Sequence, residues 1–182
     1  HLSAPLQRVL VPGGCLSAGF DRADFMLRSE AIDHPSEVTV VRFTPQGGTE
    51  DGSVVCVCQT NRRGFTHFVA KEPGNYRLVN EDVRLDDLAG VPAITQSAIR
   101  FVVARQLLGG VKDQKFLPDG PLADLDWKQS VETLGQYAID LKTAVKPASR
   151  AAAAVVLTKA IQTALGTAID SPSTNEYLTR DR

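Results

Sequence analysis

The sequence predicts an α+β fold: an antiparallel β-meander of about five or six strands in the N-terminal half, packed with three α-helices from the C-terminal half. Three observations predict it. Up to Asn80 the chain is a series of short β-branched and aromatic runs, separated by turn chemistry such as Asp33-His34-Pro35-Ser36 and Glu72-Pro73-Gly74-Asn75. At Val83 the spacing of apolar residues changes from two to about 3.6. Finally, 182 residues with 43% hydrophobic and 23% charged side chains are enough to bury one sizeable core. We therefore read residues 1–169 as a single α+β domain, 1–82 mainly β and 83–169 mainly α, with 170–182 a polar C-terminal tail.

Residues 1–20 carry Pro5, Pro12, Gly13, Gly14 and Gly19 around the apolar run Val9, Leu10 and Val11, which predicts an irregular arm with one edge strand. Residues 25–32 and 37–43 read as a strand pair joined by the turn at Asp33 to Ser36. The stretch the rest is arranged around is 53–76. Val54, Val55, Cys56, Val57 and Cys58 are apolar on both alternating faces, and Asn61 and Gly64 bound a four-residue turn into Phe65, Phe68, Val69 and Ala70. A second turn at Pro73-Gly74 leads to a strand over 76–80.

Pro92 suits the first turn of a helix whose stripe runs Ile94, Ala98, Phe101, Val102, Arg105 and Leu108. After a connector rich in Pro and Gly, a second helix with Asp124 as cap repeats Trp127, Val131, Leu134, Ala138, Leu141 and Val145. Ser149 caps a third helix, whose Ala154, Leu157 and Ile161 stripe is expected to pair with the second, and whose alanines and Gly166 suit close helix approach.

The chemistry is sparse. Net charge is -1, which argues against a general polyanion binder, and no stretch of 18 apolar residues marks a membrane span. Cys56 and Cys58 stand one residue apart, which places both thiols on one strand face as small hydrophobes rather than as a disulfide or metal pair, and points to a reducing compartment. The chain starts at His1, as a processed product would. His1, His34 and His67 are scattered without a nucleophile or carboxylate at motif spacing, and the acids Glu81, Asp82, Asp86 and Asp87, which could hold magnesium, are explained without any ligand by the positive end of the helix they precede. No catalytic, cofactor-binding or metal-ligating residue is assigned.

What these residues leave is a non-catalytic protein-interaction or self-assembly subunit of a larger complex or shell, with a protein partner or a homo-oligomer. Its interaction surface is expected at Trp127 and at the basic hairpin residues Arg62, Arg63, His67, Lys71 and Arg77. One alternative is a small enzyme or ligand-binding domain with a sheet–helix pocket using His67, Arg100 or Arg105 and acids near Asp86. The other is RNA binding through the basic central hairpin, which requires that face to stay clear of the helices.

Overall fold

The structure is a computed structural model and describes residues 7–18, 23–44, 46–48, 52–109 and 113–166. Among these, seven strands come first: β1 (Gln7–Ala18), β2 (Ala23–Arg28), β3 (Val38–Phe43), β4 (Ser53–Val55), β5 (Cys58–Thr60), β6 (Phe65–Ala70) and β7 (Gly74–Asp82). The helices α1 (Ala93–Ala104), α2 (Asp124–Gly135) and α3 (Arg150–Leu165) follow. The fold is α+β, strands before helices, as the change of period at Val83 requires. The expected polar tail lies outside the described residues.

A single meander does not form. The strands make two antiparallel sheets, in the orders β1-β7-β3-β4 and β2-β6-β5. The turn at Asp33 to Ser36 does not join a hairpin; Pro35 instead opens a 3₁₀ turn, Pro35–Glu37, whose first position its fixed φ suits. That turn carries the chain from one sheet to the other. As a result β2 pairs with β6, Phe25 opposite Phe68, while β3 pairs with β7 and β4, Val40 opposite Leu78 and Val55.

The N-terminal stretch also differs from the expected arm. It is a twelve-residue edge strand along β7, with its register shifted between Leu10 and Cys15. Pro12, Gly13 and Gly14 fall inside that shift, because proline cannot donate to the ladder and the chain must bulge around it.

The β5–β6 hairpin is the expected one. Asn61 Oδ1 accepts from the Arg63 N–H at 3.0 Å and the Phe65 N–H at 3.2 Å, an Asx-type closure of the turn. Gly64 sits at φ +89°, and a Cβ there would lie 2.3 Å from the Glu30 carbonyl oxygen. Glycine is thus required twice, for the backbone angle and for the contact with the end of β2. The arm before the turn is broken: at Cys56 and Val57 the chain bends and passes from the first sheet to the second.

That bend sorts the side chains into two cores. Val38, Val40, Val55, Cys58, Phe68, Tyr76 and Leu78 come from both sheets and pack together. Val57 joins the larger helical core of Phe101, Phe116, Trp127, Leu134, Leu157 and others, with Cys56 and Val69 packed against it. The two cysteines therefore do not share a face. The bend between them turns Cys58 into the sheet core and leaves Cys56 against the helices, its Sγ donating to the Arg105 carbonyl at 3.5 Å.

Among the helices, α1 rather than α2 packs along α3. The buried stripe of α3, Ala154, Leu157 and Ile161, is the expected one, but its helical partner is α1, whose Ala98 carbonyl accepts from Thr158 Oγ1. Ser149 caps α3, its Oγ accepting from the Ala152 N–H at 3.1 Å. Gly166 ends it in the left-handed region at φ +69°, with open space around it, so its role is a C-cap and not close helix approach. The second helix is shorter than its periodicity suggests: α2 stops at Gly135, Ala138 takes φ +62°, and Val145 is 90% exposed. Asp124 is its first helical residue, not its cap, and holds Lys146 Nζ at 2.5 Å.

Candidate functional site

Two buried arginines organise the helical half. Arg105 is the C-cap of α1, in line with its apolar stripe four residues after Phe101, and is fully buried. Its Nε and Nη2 donate to the Cys58 carbonyl at 3.0 and 2.9 Å, Nη2 to Val38 O at 3.1 Å, and Nη1 to Ser36 O at 3.0 Å and Phe101 O at 3.2 Å. The guanidinium also covers the Phe101 ring, 3.4 Å from its centroid. Burial pulls its pKa below the ordinary arginine value. One side chain thereby ties the C-terminal end of α1 to β3, β5 and the 3₁₀ turn.

Arg150 repeats the device at the start of α3. Its Nε donates to Phe116 O at 2.7 Å, Nη2 to Gly109 O, and its guanidinium stands over the Phe116 ring. Arg105 is spent on backbone, and Arg150 on backbone and on the Asp126 carboxylate at 3.7 Å, which makes both structural clamps rather than groups presented to a ligand.

The residues expected to act do not converge on one surface. Arg62 and Arg63 are exposed at the hairpin tip, while Arg77 is half-buried on β7 in the other sheet. His67 is half-buried on β6, on the same strand face as Val69, which packs against the helical core. Lys71 reaches the end of α2, donating to Gln136 Oε1 at 3.1 Å and lying 4.4 Å from the Tyr137 ring centroid. The hairpin face that an RNA would need is thus turned toward the helices, with only its tip in the open.

Nor do the groups of the expected sheet–helix pocket meet. Arg100 Nη1 donates to Glu37 Oε1 at 3.2 Å and to Val83 O at 2.9 Å. Burial raises the Glu37 pKa, and the Arg100 charge opposes that rise. Of the acids at the sheet–helix junction, Asp87 accepts the N–H groups of Phe116 and Leu117, Asp82 pairs with Arg84 at 2.9 Å, and Glu81 is fully buried. Among the described residues no three His, Cys, Asp or Glu side chains gather as metal ligands, and no helix is long and apolar enough to cross a membrane.

Besides a small concavity of about 250 Å³ beside Lys71, Tyr76 and Tyr137, two larger ones lie on different elements. The first is an open groove of about 760 Å³ on the shoulder of α2, floored by Trp127, Val131, Ile139 and Leu141. Trp127 itself is buried, so it forms the floor and does not project. Four charged side chains line the groove, Lys128 and Lys142 against Glu132 and Asp140. It exists because α2 ends early: the turn at Ala138 folds Ile139 and Leu141 back alongside the helix instead of continuing it.

The second is a cleft of about 560 Å³ between the 3₁₀ turn, the hairpin tip, α1 and α3. Asp33, His34 and Arg62 stand on its strand side, and Phe101, Val155 and Lys159 on its helix side. Sequence reasoning did not single out this cleft, since its residues come from four separated stretches. The one local signal is Ile94, an apolar residue in the first turn of α1 that is 80% exposed at the cleft. Comparison with known proteins found no matching family model, no matching curated protein and no matching solved structure.

Proposed function

We propose that this chain is a non-catalytic subunit that self-associates through the shoulder of α2, one copy seating its groove against that of a second. The observation that carries this reading is the make-up of the groove: an apolar floor of Trp127, Val131, Ile139 and Leu141 lined by two lysines and two acids. An apolar centre with an aromatic and a polar margin is the anatomy of protein interfaces. The balanced charges select the occupant. A two-fold axis sets each patch against itself, so a surface with equal numbers of both signs can place every lysine opposite an acid of its twin.

Leu125 and Val145, outside the groove's lining, are two further exposed apolar side chains. They are 62% and 90% exposed, and each adjoins one member of the Asp124–Lys146 ion pair. That pair holds the two backbone segments together, next to the start of the same helix.

Light scattering and sedimentation over a concentration series test the reading. The native chain is expected to dimerise, and Lys128→Glu combined with Lys142→Glu to dissociate it by more than tenfold, because four acids then face four acids. Mixing that variant with Glu132→Lys plus Asp140→Lys should restore a heterodimer. A chain that stays monomeric at the highest attainable concentration, or a dimer indifferent to both charge swaps, refutes it.

A further inference from the structure

We infer that the cleft between α1, α3 and the 3₁₀ turn binds a small organic anion with an apolar body, such as an aryl-alkyl carboxylate. This site shares no residue with the α2 groove and does not depend on the self-association reading.

Three features define the ligand. The first is size: about 560 Å³, within the roughly 300–1,000 Å³ range of small-molecule sites and too small for a folded partner. The second is charge. Arg62 comes from the hairpin tip and Lys159 from α3, so a cation stands on each side, against the single carboxylate of Asp33. The balance favours a negative group placed between the two cations, and an arginine and a lysine are the side chains that bind carboxylates by charge-assisted hydrogen bonds.

The third is the apolar lining. Phe101 and Val155 lie on the helix side and Ile94 adds to it, 80% exposed in a chain whose other isoleucines with described burial are at least half-buried. A ligand body seated there covers Ile94 and removes its apolar surface from water. An inorganic ion would use the cations and leave that surface wet; a neutral apolar molecule would cover it and leave the cations unused. A molecule with both ends uses the whole cleft.

The fold holds this cleft open by hydrogen bonds on each of its sides. The hairpin tip is fixed to the segment after β2 by the Ile32 N–H donating to Arg62 O at 2.8 Å and the Ser29 N–H to Gly64 O at 2.8 Å. On the helix side, Thr158 Oγ1 donates to Ala98 O at 3.4 Å across the α1–α3 contact. The 3₁₀ turn is tied to α1 by Arg105 through Ser36 O. The pocket is therefore built before a ligand arrives, which lowers the ordering cost of binding.

The test is a titration of the full chain followed by amide NMR, with phenylbutyrate as the amphipathic anion, phenylbutanol as its uncharged analogue and acetate as the anion without a body. Phenylbutyrate is expected to give saturable shifts at Ile94, Thr95, Val155 and Lys159. Phenylbutanol should bind about tenfold or more weakly, and acetate should give no saturable shift there. Lys159→Gln, at an exposed position, should weaken phenylbutyrate about tenfold and leave phenylbutanol unchanged. Ser97→Trp, on the exposed first half of α1, should fill the cleft and abolish both. Equal binding of the alcohol and the acid, an unchanged affinity in Lys159→Gln, shifts centred on Trp127 and Leu141, or no saturable shift with phenylbutyrate each overturn the inference.

Discussion

Replacing Arg105 by methionine is the sharpest test of how the two halves are joined. Methionine keeps much of the apolar stem and offers no donor. Phe101 O retains the Arg105 main-chain N–H at 3.3 Å, but Ser36, Val38 and Cys58 each lose a charged donor to their carbonyl oxygens. At about 1–3 kcal/mol for each buried acceptor left short, the gross loss is about 3–9 kcal/mol. The opposing term is relief from burying a cation with no carboxylate hydrogen-bonded to it, worth several kcal/mol.

The balance falls on the side of loss for a specific reason. Where a buried ion pair is replaced by apolar residues without harm, both partners are exchanged; here the acceptors are main chain and stay behind. Net destabilisation of about 3 kcal/mol is expected, a drop of about 8 °C in Tm for a chain of this size. Urea unfolding followed by circular dichroism and by Trp127 fluorescence measures it. Arg105→Lys should recover only part of the loss, since a compact ammonium cannot span carbonyls on β3, β5 and the 3₁₀ turn. A midpoint for Arg105→Met within about 0.5 kcal/mol of the native chain would refute the reasoning.

Two further outcomes follow from local geometry. Gly64→Ala puts a Cβ 2.3 Å from Glu30 O and 2.5 Å from Ser29 O at φ +89°, whereas Gly90→Ala at φ +82° meets nothing within 4 Å. The first should cost more than about 3 kcal/mol and the second about 1 kcal/mol, the cost of the backbone angle alone; equal urea midpoints would show that the contact with the end of β2 is not tight. Burial, followed by the neighbouring Cys58, pushes the Cys56 thiol up to about 11, against an ordinary value of 9.0. At pH 8 its thiolate is about 100-fold scarcer than that of an ordinary thiol. Iodoacetamide labelling located by mass spectrometry should therefore spare Cys56 in the native chain and modify it in urea, and rapid native labelling would contradict the buried position.

Much of the site was legible in fragments, and the fragments misled where they depended on distance. Arg105 stood on an apolar helical stripe, a position that an arginine takes only if its charge is satisfied, so its burial could be read from spacing. The cleft could not. Asp33 and Arg62 belong to turns, Ile94 and Phe101 to one helix and Lys159 to another, and each taken alone is an ordinary surface or core residue. The basic hairpin shows the same dependence on distance: its charges are close in sequence, yet Lys71 meets α2 and Arg77 lies in the other sheet.

The sequence by itself determined the division into strands then helices at Val83, the turn between Asn61 and Gly64, and the Ser149 cap, because each depends on neighbours within a few residues. Only the tertiary structure decided that β2 joins β6 while β3 joins β7, that the chain changes sheet between Cys56 and Cys58, that α3 lies on α1, and that α2 stops at Gly135. Periodicity reports which face of an element is apolar. Which other face covers it is settled by the summed burial of segments far apart in the chain, and that sum is what opened the groove beside Trp127 and the cleft beside Ile94.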